Sequence, residues 1–180
     1  MTRFPFFWTR WLPLLGIGAA LLAAAGACGG GGGGKSLSAE EYFKKVEAIG
    51  NESTDKQNAA APSDEEVANL APDELKQRGI EFLNAEAVIF DDAMKKVEDL
   101  NPPDDIQDAH DALVEKGNAL GGTFRGFANE AKDVPPEQIE DFFNTKVFAE
   151  STFAPFDEAC SALQRIAEGK NIDVDLNCTE

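Results

Sequence analysis

Several things are scarce in this chain of 180 residues. It has one histidine, one tyrosine, two methionines and three cysteines, and both tryptophans fall within the first eleven residues. A lone histidine removes the paired-histidine zinc sites, and no Cys-x-x-Cys is present to run thiol–disulfide chemistry. No serine sits in a nucleophile-type turn, and no glycine-rich phosphate loop is present. Basic residues are also short. Sixteen Lys and Arg stand against 33 Asp and Glu, a net charge of −17. That balance is wrong for gripping nucleic-acid phosphates or for docking by charge on an anionic lipid surface. The composition supplies no enzyme signature and no cofactor motif. At 43% hydrophobic residues, however, the chain is too apolar to be disordered throughout, and its length suits one domain.

Acidic residues are missing altogether before Glu40. Arg3 and Arg10 precede an apolar run from Trp11 to Ala27 that ends in small residues, the layout of a secretory signal. The alternative is an N-terminal membrane anchor. The run is shorter than the roughly 20 residues of a span and is interrupted by Pro13, Gly16 and Gly18. Ala25-Gly26-Ala27-Cys28 resembles the lipobox of bacterial lipoproteins, with Ala25 where leucine is usual. The resemblance implies cleavage before Cys28 and attachment of lipid to it. It also implies a signal peptide over 1–27, and a lipidated cysteine with a glycine-rich tether over 28–37. Removing 1–27 takes away two arginines and no acid, so the mature charge becomes −19. The six glycines from Gly29 to Gly34 have no side chains to pack and form a short leash. The place implied is the cell envelope, on the outer face of the cell membrane or at an outer membrane.

Residues 38–180 read as all-α, an antiparallel four-helix bundle with a kinked last helix and an extended C-terminal tail. Ser38 and Glu41 form a capping box, followed by the stripe Tyr42, Val46, Ile49. That stripe fades between Asn51 and Asn58, where Ser53 and Lys56 take apolar positions, and Pro62 ends the helix. Ser63 opens a short turn of helix to about Leu70. Helix two starts near Pro72 and carries Ile80, Leu83, Ala87, Phe90, Met94 and Val97 at bundle spacing. Asn101 and Pro102 are expected to cap and start helix three, which runs through His110, Leu113, Gly117, Leu120, Phe124 and Phe127. Pro135-Pro136 repeats that device before helix four. There Lys146 is a polar exception in the stripe, and Pro155 predicts a kink or split near Ser151. Gly169 is the expected C-cap. With Cys28 assigned to lipid, Cys160 and Cys178 remain, and an oxidising compartment favours a disulfide between them. The run Leu100-Asn-Pro-Pro-Asp-Asp-Ile106 followed by His110 resembles small helical-bundle lipoproteins of high-GC bacteria. It covers about a tenth of the chain and implies no activity.

Two constellations stand out against plainer readings. Asp104, Asp108, His110 and Asp111 cluster at the start of helix three and offer weak metal ligands. Acids at a helix N-terminus equally serve its dipole, and the tail segment Asp173 to Asn177 fails as a calcium loop because Cys178 stands where glycine is required. Gly117, Gly121, Phe124, Phe127, Phe153 and Phe156 suggest either large-on-small packing or a pocket for a small apolar ligand between helices three and four. The expected function is therefore a lipid-anchored extracytoplasmic bundle that binds a protein partner with a basic surface or plays an envelope role. The alternative is a carrier of a small apolar ligand.

Overall fold

A computed structural model describes residues 36–178, and these form a helical bundle with no strand among them. The signal peptide, Cys28 and all but the last two residues of the tether lie outside the described residues. Four long helices make the bundle: α1 (Ala39–Ala60), α3 (Pro72–Glu98), α4 (Gln107–Ala131) and α6 (Glu150–Gly169). A short α2 (Asp64–Asn69) joins the first pair. A 3-10 turn (Pro136–Gln138), α5 (Ile139–Phe142) and a π turn (Phe143–Val147) join the last pair.

The starts follow from side-chain caps. Ser38 Oγ accepts from the Glu41 amide at 3.3 Å while Glu41 Oε2 accepts from the Ser38 amide at 3.1 Å, so two orphan donors are satisfied at once. Ala61 is extended because a residue before proline avoids the helical region, and this ends α1 ahead of Pro62. Ser63 caps α2 by accepting from the Glu66 amide at 3.1 Å. Proline at the first position of α3 lacks only a donor that would have gone unused.

Helix three starts later than the sequence reading places it. Asn101 is not its cap; the first helical residue is Gln107, behind Ile106. Two consecutive prolines explain the delay, since Pro103 keeps Pro102 out of the helical region. The chain instead makes a turn closed by the Ile106 amide on the Pro103 carbonyl at 2.9 Å, and Ile106 is fully buried by it.

Helix four is split near Ser151 as expected, with the break at Phe148–Ala149. Ala149 is extended, and α6 then runs unbroken through Pro155. The cause lies in Lys146. A regular helix would aim that ammonium into the seam. The π turn inserts one residue, with the Phe148 amide donating to the Phe143 carbonyl at 2.9 Å across five residues. Val147 is thereby fully buried in its place, and Lys146 reaches Glu130 at the surface. The other end of α6 also differs. Asn171, not Gly169, takes the left-handed conformation (φ 57°), and the Asn171 and Ile172 amides return to the Glu168 and Ala167 carbonyls, both at 2.9 Å. This is a Schellman closure, in which asparagine is an accepted substitute for glycine.

Successive long helices are antiparallel neighbours. Residues 52, 56 and 57 of α1 meet residues 96, 92 and 86 of α3 through Lys96–Glu52, Lys56–Asp92 and Gln57–Glu86. Met94 of α3 meets Gly117 of α4. Phe124 meets Phe153 of α6, and Asp105, ahead of α4, pairs with Lys170 at the end of α6. The seam between α1 and α6 is filled differently. These helices scarcely touch each other, and the C-terminal tail lies between them. Val174 and Leu176 are buried there. Gln164 of α6 donates to the Val174 carbonyl and accepts from the Leu176 amide, both at 3.0 Å, while Glu47 of α1 accepts from the Asp175 amide at 2.8 Å. Cys178 is disulfide-bonded to Cys160 with Cα atoms 5.5 Å apart, as the pairing of the two remaining cysteines anticipates.

The interior has two clusters. One gathers Tyr42, Phe43, Val46, Met94, Val97, Leu113 and Leu163 with the tail, and the other gathers Phe82, Leu83, Leu120, Phe124, Phe142, Phe143 and Val147. Phe156 packs against both.

Candidate functional site

A cavity opens where the α1 stripe fades. Up to Ile49 the inward side of α1 is apolar, with Tyr42 and Val46 buried. The positions that continue it are Gly50, Ser53, Thr54 and Gln57, none of which can fill the space that leucines would. What remains is a cleft of about 130 Å³. Its floor is Ala93, Met94 and Val97 of α3 and Leu113 of α4. Phe156 and Cys160 of α6 form one side, and Leu176 and Asn177 of the tail form another. No charged side chain lines it. The disulfide joins the tail wall to the α6 wall.

Two buried polar groups lie against opposite ends of α1, on either side of the cleft. Glu86 of α3 is 4% exposed and its Oε2 accepts from Gln57 Nε2 at 2.8 Å. Burial pushes its carboxyl above the ordinary range, and the Gln57 hydrogen bond opposes that in part. His110, also 4% exposed, has its Nδ1 3.1 Å from the hydroxyl of Tyr42. Burial lowers its pKa, against the opposing pull of Asp111 and Glu98, and burial raises that of Tyr42. The tyrosine therefore keeps its proton, and its hydroxyl and a neutral imidazole share one buried hydrogen bond.

The acids that flank His110 in sequence do not join it. Asp104, Asp108 and Asp111 are exposed while the imidazole turns into the core. Asp111 Oδ1 accepts from Gln107 at 2.8 Å, and Asp105 takes Lys170 at 2.5 Å. Among the described residues no three His, Cys, Asp or Glu side chains come together as a metal-binding group.

The six residues offered for an apolar pocket are mostly committed to packing. A Cβ on Gly117 would lie 2.1 Å from Met94 Sδ, so the methionine already occupies that space. Gly121 faces Asp91 and the Ala87 carbonyl of α3. Phe124 is 3% exposed between Phe90 and Phe153, with ring centroids at 5.7 and 5.9 Å, and Phe127 meets Phe142 edge-on at 6.1 Å. Of the six, Phe156 alone lines the cleft, where its ring stands edge-on to Phe90 at 5.4 Å. The residues that open the cleft, Gly50, Ser53 and Gln57, were legible only as the weakening of a stripe. No protein-family model, curated protein or solved structure matches this chain. Among the described residues no helix is long and apolar enough to cross a membrane.

Proposed function

We propose that the chain is a lipid-anchored extracytoplasmic protein that acts by binding a protein partner with a basic surface. The lipobox-like run ending at Cys28 supports the anchor, held on the outer face of the cell membrane or at an outer membrane, and the glycine run supports a domain free to turn on a short leash. The observation that carries the binding reading is a group of exposed acids, Asp104 in the turn ahead of α4 and Asp108 and Asp111 in its first turns. No Lys or Arg pairs with these three among the described residues, whereas Lys44, Lys56, Arg78, Lys96, Lys116, Arg125 and Lys146 hold acids elsewhere on the molecule and Lys170 holds the neighbouring Asp105. An unneutralised group on a strongly acidic domain steers a cationic partner and sets its register.

The test is cross-linking of the full chain in its own membrane, with Asp104→Asn/Asp108→Asn/Asp111→Asn beside the parent. A captured partner that is basic, releases with rising salt and is lost in the triple variant supports the reading. Capture that is indifferent to salt and to the three substitutions contradicts it. Helical content by circular dichroism guards against a trivial loss, since acids near a helix N-terminus contribute about 0.3–1 kcal/mol each.

A further inference from the structure

We propose that the cleft between α1 and α6 is a binding site for a small neutral molecule with a compact apolar body and one hydrogen-bonding group. The proposal is independent of the partner reading, which concerns the other side of the molecule's chemistry. Its first support is size. The cleft measures about 130 Å³, close to the roughly 150 Å³ of an apolar cavity that accepts benzene. A single ring or a chain of about six carbons fits on that scale, whereas a full acyl chain does not.

The second support is chemistry. Met94, Val97, Leu113, Phe156 and Leu176 give water nothing to bond to, so the inner part favours an apolar body. Ser53 and Thr54 of α1 line it as well and offer hydroxyls, while the amides of Gln57 and Asn177, also in the lining, already donate to Glu86 and Asn51. With no charged residue in the lining, an anionic or cationic head has no partner there, and a hydroxyl or amide does.

The third support is the sequence of α1 itself. Bundle helices bury a continuous apolar stripe, and this one stops at Ile49 with eleven helical residues still to come. Local departures from the pattern that folding prefers concentrate where function requires them. The walls are also held in place before any ligand arrives, because Cys160 and Cys178 tie the tail to α6 and Gln164 brackets Val174 and Leu176. A preformed wall removes part of the ordering cost of binding.

The experiment is photolabelling of the full chain in lipid vesicles with a six-carbon alcohol bearing a diazirine, followed by peptide mapping. Adducts on the segments holding Ser53–Gln57, Met94–Val97 and Leu176 are expected. Excess hexanol should reduce them about tenfold and hexanoate should not. Ser53→Leu and Gly50→Leu each place an apolar side chain in the cleft, and either one, shown to be helical, should reduce the same adducts about tenfold. Gly50 is suited to this because a Cβ there meets only the Leu176 carbonyl, at 3.9 Å. Adducts spread over the exposed surface, adducts that persist in both folded variants, or equal displacement by hexanoate would each overturn the proposal.

Discussion

Alanine substitutions along α4 should change stability in opposite directions at glycines only a few residues apart. Gly122 and Gly126 face open space, with no atom within 4 Å of an added Cβ. Each therefore bears only the backbone cost of glycine in a helix interior, about 0.8–1 kcal/mol relative to alanine. Gly122→Ala/Gly126→Ala should gain about 1.5–2 kcal/mol, or roughly 3–8 °C in Tm at this chain length. Gly117 gains the same propensity term but meets Met94 Sδ at 2.1 Å and Cγ at 2.5 Å. Met94 is 5% exposed, so it can give way only by turning its thioether further into the cleft it lines. Overpacking of that kind costs about 1–3 kcal/mol, so Gly117→Ala should lose about 1 kcal/mol on balance. Gly79→Ala should lose at least as much, because the opposing group is the ring of Phe143 at 2.5 Å, which lacks the torsions of methionine. Urea unfolding followed by circular dichroism reads all four. If Gly117→Ala stabilises as much as Gly122→Ala, then α3 and α4 do not approach as described and the packing argument fails.

Four further outcomes follow from the buried groups and the tail. Replacing Cys160 and Cys178 by alanine, or reducing them, should cost about 3 kcal/mol in the chain-entropy view, and hydrogen exchange should rise from Ile172 to Cys178; unchanged exchange would mean that the tail is held without the disulfide. Glu86→Gln should stabilise the fold at pH 7. The folded carboxyl is raised, so ionised Glu86 opposes folding, and the advantage of glutamine should vanish as pH falls to the ordinary carboxylate range near 4.3; an advantage that persists at pH 4 would refute the burial argument. His110 is depressed by burial, so the fold should lose stability as pH drops below about 6.5, where the unfolded histidine takes its proton. Tyr42→Phe, which leaves Nδ1 without its hydrogen-bond partner, should cost about 1–3 kcal/mol in urea unfolding at pH 7; a loss no larger than a surface change would remove the buried pair from the account of the core.

How much of this was readable in advance depended on whether one residue's own chemistry decided the outcome. The Ser38 box, the Tyr42–Val46–Ile49 stripe and the seam of α3 are set by spacing and caps, and they stand where spacing puts them. The Cys160–Cys178 pairing needed only reach, which a returning tail supplies. Where neighbours compete, local reading lost. Asn101 looked like a cap, but Pro103 keeps Pro102 out of the helix and the chain makes a separate turn up to Ile106 before α4 starts. The split of helix four falls near Ser151 as Pro155 suggested, but α6 runs on through that proline, and the break instead follows a π turn that leaves Lys146 at the surface. Gly169 looked like the C-cap, but the tail leaves α6 two residues later, at Asn171. The phenylalanine and glycine cluster was recognisable as large against small. That its partner would be Met94, and that Phe143 would cover Gly79, depended on which helices meet. The cleft was hardest to see, because it is made by residues too small or too polar to register as a motif.

The tether carries the functional reading, so the most direct measurement is the chemistry of the mature N-terminus. Membranes from cells fed an alkyne-bearing fatty acid should yield a chain that begins at Cys28 and carries the label, while Cys28→Ala should carry none. Recovery of an unlabelled chain that retains residues 1–27, or equal labelling of Cys28→Ala, would contradict it.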